Sequence, residues 1–245
     1  MALGNETETH SIPLGVITQL YRDIAAHRPG LVTHVGLNTF VDPRIEGGKL
    51  NSKTKKDIVE LIYLQGKPWL FFKAFPIDVG LIRATTADEQ GNLSFEKELA
   101  HLEALPIAQA AKNCEGIVIA QVERVSVAGG MDPRLVRVPG FLVDAIVVSN
   151  PQYHMQTLTE DYNPAYTGDI RVPVEQYISE PLPLNAEKVI LRRAAKELFP
   201  GAVVNLGYRL PVDIPRITVE ENIEKYINYT VELGAIGGIP LGGLS

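Results

Sequence analysis

The sequence predicts an α/β fold with a mostly parallel sheet flanked by helices. Two runs, GIVIAQVERV and FLVDAIVVSN, are continuously apolar and rich in β-branched residues, a composition that suits strands buried on both faces of a parallel sheet. Helical patterns alternate with them. VITQLYRDIAAHRPG repeats Val16, Leu20 and Ile24 at helical spacing and stops at Pro29-Gly30, and LPIAQAAKN is a second helix. Strands that alternate with helices make βαβ units.

The elements follow in order. After the first helix, LVTHVGLNTF is a short strand that runs into a loop. VDPRIEGGKLNSKTKKD holds too much Gly, Pro and charge for a core and is expected as an exposed loop. IVELIYL and PWLFFKAF are strands, and a further strand in DVGLIRATTADEQGNLSFEKE breaks at the turn residues Asp88–Asn92. From Pro151 to Pro183 the chain turns rich in Tyr, Pro, Asp and Glu and loses periodicity, which suits a linker or a functional loop. NAEKVILRRAAKELF then forms a helix, with Asn185 as N-cap, Lys188 in the first turn, and Ile190, Ala194 and Leu198 along one face. GAVVNLGYRLP and INYTVE supply two more strands. The expected organisation is a first domain over 1–150, a linker over 151–183, and the start of a second, similar domain over 184–245, which is short for an independent α/β unit.

Bulk properties exclude several classes. A net charge of −6 argues against nucleic acid or an anionic membrane as the main partner. No apolar run approaches the ~20 residues of a membrane span, and the polar opening MALGNETETHSIPLG is unlike a signal peptide. With one cysteine, Cys114, there is no internal disulfide, so a reducing cytoplasm is the expected location. Cys114 itself is expected as a buried structural thiol. His10, His27, His34, His101 and His154 never fall at metal-ligand spacing, so no metal site is expected. No nucleophile-elbow, P-loop or dinucleotide-binding motif stands in the right context.

Chemistry-bearing residues collect near the end. Glu232 stands between the apolar run of INYTVE and the glycines 234, 237, 238, 242 and 243. Open α/β sheets bind ligands at the carboxyl ends of their strands. Glycines there let backbone N–H groups close on an anion, the setting a nucleophilic carboxylate needs. A surface acid before a loose tail has the same composition, and both readings stay open on these residues alone. In FVDPRIEGGKLN, Gly47 and Gly48 bring the backbone close to a ligand and Lys49 or Arg44 meets phosphate, or the loop is a solvated hairpin tip. Asp88–Glu89 and Glu96–Glu98 are better explained by a tight turn followed by a charged helix start than by paired catalytic acids. ERVSVAGGMDPRLVRVPG again groups Gly, Pro and Arg after a strand, where basic residues suit a phosphate-rich ligand.

Taken together, GLNTFVDPRIEGGKLN, DVGLIRATTADEQGNLSFEKE, GIVIAQVERV, VPGFLVDAIVV, EPLPLNAEKVILRRAAKEL, VVNLG and TVELGAIGGIP resemble, in this order, blocks of the family I CoA-transferases with fused halves, the acetate/propionate CoA-transferases. The resemblance runs from about Leu14 to the end. It implies the α/β fold shared by CoA-transferases and sugar-phosphate isomerases. It also implies a reaction that moves CoA between a short-chain acyl-CoA and a free carboxylate. Glu232 would be the nucleophile that carries CoA as a thioester, with Gly234, Gly237, Gly238, Gly47, Gly48 and Lys49 around the substrate. CoA is then a substrate, no cofactor is permanently bound, and the partner is a homo-oligomer mate or a complementary subunit. Three positions depart from the family pattern: Leu14 in place of the glutamine of P-Q-G, Leu233 in the polar place after the nucleophile, and Arg209 in place of a glycine in N-L-G-x-G-x-P. The resemblance further implies a chain that lacks the family's opening strand–glycine unit and the rest of its second domain. A silent or partner-dependent acyl-CoA binder is the alternative, and an isomerase of the same architecture ranks below it.

Overall fold

The computed structural model describes residues 1–178, 180–231 and 236–239. It divides into two units, Met1–His154 and Met155–Ser245.

The first unit opens with α1 (Leu14–Ala25), which buries Val16, Leu20 and Ile24 as the periodicity predicts. Beneath it, β1 (Gly30–Thr33), β2 (Val59–Leu64) and β3 (Lys67–Lys73) form an antiparallel sheet in the order β1-β3-β2. Gln65 and Gly66 both have positive φ, as a two-residue hairpin turn between twisted strands requires. Leu70 and Phe72 of β3 are fully buried against α1, each contributing roughly 1.5–3 kcal/mol of transfer free energy. This sheet is antiparallel, as a two-residue connection requires, and it stands beside the parallel sheet that the sequence predicts.

The parallel sheet follows. β4 (Val79–Arg83), β7 (Ile117–Val122) and β9 (Ala145–Val148) run parallel in the order β4-β7-β9. The crossover helix α2 (Ala104–Asn113) covers one face of this sheet. A Cβ added at Gly80 would stand 3.2 Å from Ala111 Cβ, so the helix lies directly against β4. Ile82, Val118, Ala120 and Val122 point into this core with Ala108 and Ala111. The expectation of burial on both faces fails for β7, whose residues alternate between buried and partly or fully exposed. Among the described residues of the first unit, helix covers one side of the strand.

A smaller sheet lies beyond the ends of these strands, with β5 (Thr86–Asp88) parallel to β8 (Arg124–Ser126) and antiparallel to β6 (Leu93–Ser94). The expected turn at Asp88–Asn92 is present. Asp88 accepts hydrogen bonds from the backbone N–H groups of Gln90 and Asn92 and from Asn92 Nδ2, all at 2.9 Å. Residues 96–98 do not begin a helix, because Glu96 and Glu98 are tied to side chains of neighbouring strands. Cys114 caps the end of α2 and is half-buried.

The second unit carries the short helices α3 (Pro164–Thr167) and α4 (Val174–Tyr177), then α5 (Ala186–Ala195), β10 (Val203–Leu206), α6 (Ile214–Glu220) and β11 (Asn228–Val231). β10 and β11 pair in parallel. Asn185 caps α5 by accepting the Lys188 N–H at 2.9 Å, as expected. The buried face is different: Lys188, Leu191 and Ala195 point inward, and Ile190 is 55% exposed. Glu220 of α6 decides this, drawing Lys188 Nζ to 2.8 Å while Leu191 and Ala195 pack on Ile217. Among the described residues no helix is long and apolar enough to cross a membrane.

Gly140 locks the first unit's turn in place. Its N–H donates to Asn92 Oδ1 at 2.9 Å, and an added Cβ would stand 2.0 Å from the Gln90 carbonyl oxygen. Gly140→Ala is therefore expected to destabilise this unit by roughly 1–3 kcal/mol, the usual range for overpacking. The check is a urea titration in which the midpoint falls while the slope is kept. An unchanged midpoint would show that the turn yields freely.

Candidate active site

The carboxyl ends of the parallel strands are where such sheets place ligands, and in the first unit polar groups gather there. In the first unit, Arg83 ends β4 and Gln121 lies near the end of β7. Arg83 Nε reaches Glu98 at 3.0 Å, and its Nη2 donates to the His154 carbonyl oxygen at 3.2 Å. The His154 ring is buried. Gln121 Nε2 donates to its Nδ1 at 3.2 Å, which leaves the proton of the neutral ring on Nε2, 3.4 Å from Glu98 Oε1. Burial first, and then the Arg83 charge, lower the His154 pKa, so the ring is neutral at pH 7. The sequence offered Glu98 only as part of a charged helix start and His154 only as one of the scattered histidines, and Arg83 and Gln121 carried no expectation. The only hint was a glutamine interrupting the apolar run IVIAQV.

A carboxylate cluster stands on the small sheet. Glu96 accepts from Ser94 Oγ at 2.6 Å, from Arg124 Nη2 at 2.7 Å and from the Thr86 hydroxyl. Burial would raise its pKa, but the hydroxyl donors outweigh it and hold the carboxyl below its ordinary range. Lys97 pairs with Glu123 at 2.7 Å. Arg134 binds Asp132, two residues before it, at 2.7 Å, so this arginine of the VAGGMDPR stretch is engaged within its own turn.

The loop of residues 36–50 is organised by Asp42, whose carboxylate is fully buried. It accepts the N–H groups of Asn38 and Arg44 at 2.9 and 3.0 Å and binds the Arg44 guanidinium at 2.5 and 2.9 Å. Arg44 thus serves the loop itself. Its hydrogen bonds hold the Asp42 pKa far below the carboxylate range. Gly47 and Gly48 both have positive φ, and a Cβ on Gly48 would stand 2.7 Å from the Ser11 carbonyl oxygen. Lys49 Nζ pairs with Asp57 at 2.6 Å.

In the second unit, β10 and β11 are in register from Val203–Asn228 to Leu206–Val231. Thr218 and Tyr229 share a buried hydroxyl–hydroxyl hydrogen bond of 2.5 Å that pins α6 to β11. Beyond β11, Ile236 bridges back to Thr230, and the Gly237 N–H donates to the Tyr229 carbonyl at 2.8 Å. Gly237 and Gly238 have φ of 80° and 69°, conformations that favour glycine. Glu232, Leu233 and Gly234 lie outside the described residues. Arg209, three residues beyond β10, has φ 71° and ψ −130°, backbone angles populated almost only by glycine. Leu14 is exposed at the first turn of α1, after Pro13. Among the described residues no group of three or more His, Cys, Asp and Glu could hold a metal ion.

Two outcomes follow from these loops. A carboxylate with a depressed pKa stabilises fully above its unfolded value, near 4, and loses that contribution as pH falls toward the folded one. Asp42→Asn is expected to cost on the order of 1–3 kcal/mol at pH 7, with the difference from the unmodified chain shrinking below about pH 4. Denaturation curves across that range check this, and a pH-independent difference would refute it. Arg209→Gly relieves strained backbone and should stabilise the second unit by about 1 kcal/mol, or roughly 2–4 °C in Tm. An unchanged or lowered Tm would mean that the arginine holds this conformation without strain.

Residues 1–149 match the family model of the coenzyme A transferases. Over 232 residues the chain is 49% identical to the caffeate CoA-transferase of Acetobacterium woodii, covering 94% of this chain and 44% of that one. It is 40% identical over 245 residues to the acetate CoA-transferase YdiF of Escherichia coli K12, covering all of this chain and 46% of that one. The crystal structure of the acyl-CoA transferase YdiF apoenzyme from E. coli O157:H7 superimposes with a TM-score of 0.89 at 41% identity, over 97% of this chain and 44% of that one. A second structure of that enzyme, its thioester complex with CoA, gives 0.88. The chain spans less than half the length of these relatives. By the family match over most of its length, the chain belongs to the coenzyme A transferase family.

Proposed function

We propose that the chain carries the nucleophilic part of an acyl-CoA:carboxylate CoA-transferase, with Glu232 as the nucleophile. The observation that carries this reading is the likeness to an enzyme whose structure has been solved as a thioester with CoA. The sequence supplies a carboxylate directly after β11, with two glycines of positive φ shortly beyond it.

The chemistry asks little else of the protein. The Glu232 carboxylate attacks the thioester carbonyl of acyl-CoA, the C–S bond breaks, and CoA leaves as a thiolate from a mixed anhydride. The thiolate attacks the glutamyl carbonyl of that anhydride and expels the first carboxylate, leaving glutamyl-CoA. A second carboxylate reverses these steps and departs as the new acyl-CoA. Each intermediate keeps the energy of the thioester only where water is excluded and N–H donors meet the developing oxyanion. In this reading Gly234, Gly237 and Gly238 shape the loop after the nucleophile, and Gly47, Gly48 and Lys49 stand on a substrate-contacting loop. The acyl groups are short, of acetyl and propionyl size, and the kinetics are ping-pong. A second reading, in which the chain is catalytically silent or acts only with a complementary subunit, is favoured by Leu14, Arg209 and Leu233 standing where the family pattern has other residues.

Intact-mass spectrometry after incubation with acetyl-CoA tests this. A CoA-sized adduct is expected on the chain and absent from Glu232→Ala. An adduct that persists in the variant would remove Glu232 from its role. No adduct on a folded chain, with one appearing once a complementary polypeptide is added, would select the second reading.

A further inference from the structure

The first unit holds a cavity of about 360 Å³, lined by α1, the start of α2 and the segment 137–138. Its floor is apolar: Phe95 and Val138 are buried, and Leu105 of α2 packs on the same core. Its rim is cationic. Arg22 comes from α1, His101 from the approach to α2, and Arg137 from the segment beside β6. No aspartate or glutamate lines it among the described residues, in a chain whose net charge is −6. Backbone hydrogen bonds fix the rim. The Arg137 N–H donates to the Leu93 carbonyl and the Leu93 N–H to the Val138 carbonyl, each at 2.9 Å. His101 stands edge-on to Phe95, with ring centroids 5.6 Å apart.

The charges on this rim are not spent within the protein. Arg22 Nη1 donates to the Thr18 carbonyl of its own helix at 2.8 Å, and among the described residues neither arginine forms an ion pair. Burial first, and then the Arg137 charge, lower the His101 pKa, so the guanidinium faces a neutral ring and no acid offsets it. Guanidinium groups bind carboxylates through paired, charge-assisted hydrogen bonds. A largely apolar wall with a few convergent polar groups is the usual make-up of a small-molecule site of this volume. A bare phosphate would leave that apolar floor uncovered. We infer that this cavity binds an organic monocarboxylate, its carboxylate toward Arg22 and Arg137 and its hydrocarbon on Phe95, Leu105 and Val138. An adjoining cavity of about 430 Å³ shares Arg22 and Gln109, so a longer body extends past Gln109 toward Phe141, which is 81% exposed. The inference stands on the first unit alone and holds whether or not Glu232 is the nucleophile.

The test titrates benzoate into the chain without CoA, read by calorimetry and by the His101 ring signals in NMR spectra, assigned through His101→Gln. Saturable binding with Kd on the order of 1 mM or tighter is expected, with the His101 signals shifting as it saturates. Arg137→Gln and Arg22→Gln should each weaken it about tenfold or more, and because both side chains are exposed the variants keep the Tm of the unmodified chain. Arg134→Gln removes the same charge outside the cavity and should leave binding unchanged, as should Glu232→Ala. Benzyl alcohol, the ring without the charge, and inorganic phosphate, the charge without the ring, should each bind far more weakly than benzoate. Absence of saturable benzoate binding would overturn the inference. So would binding that both cavity arginine variants retain, or benzyl alcohol binding as tightly as benzoate. Binding lost in Glu232→Ala but kept in Arg137→Gln would also overturn it, by assigning the carboxylate to the proposed nucleophile's site.

Discussion

Parallel strands have no solvent-facing side of their own, and the first unit is arranged around that constraint. β4, β7 and β9 need cover, α2 supplies it on one face, and Gly80 is what allows the helix to come so close. α1 then packs on α2 and on the antiparallel hairpin, so that Ala110 shares a core with Leu20, Leu70 and Phe72. The same constraint sets where polar groups can go. Along the strands there is no room for them, and they collect at the carboxyl ends, where Arg83 binds Glu98 and the His154 carbonyl, Gln121 donates to the His154 ring, and the ring's buried Nε2 stands 3.4 Å from Glu98 without a hydrogen bond.

The polar loops are fastened with comparable economy. Asp42 gathers its loop through two backbone N–H groups and one guanidinium, and Asp88 gathers its turn through two backbone N–H groups and the Asn92 side-chain amide. A buried carboxylate is tolerated only when its lone pairs are occupied, and in both cases the donors come from within a few residues. Such loops are rigid frames. Preorganised N–H donors stabilise developing charge because they need not reorganise during reaction.

Much of this was legible in the sequence, and the reasons are local. Val16, Leu20 and Ile24 marked α1 because one turn brings them to one face. IVIAQV marked β7 because β-branched runs fit a pleated surface. What could not be read depended on partners. The stripe Ile190, Ala194, Leu198 was as regular as the one actually buried, and only Glu220, brought in by α6, selected Lys188, Leu191 and Ala195. α6 was missed because Thr218 and Val219 are β-branched, although Pro215 at its start was a helix signal. Of the candidate site, Gly47, Gly48 and Glu232 stood out by residue type, and the conformation of Arg209 followed from the family's glycine. The Arg83–Glu98–His154 cluster did not stand out, since Arg83 reaches His154 across 71 residues and nothing in the spacing joins them.

The central claim is that a glutamate of this chain exchanges oxygen with the carboxylate it serves. In the proposed sequence an oxygen of the incoming acid forms the anhydride bridge and stays on Glu232 when CoA attacks the acyl carbonyl. Peptide mapping after turnover of acetyl-CoA with heavy-oxygen-labelled acetate reads this directly. The account predicts label in the peptide that carries Glu232, and its loss in Glu232→Gln. Exchange of acetate into acetyl-CoA with that peptide unlabelled would contradict it.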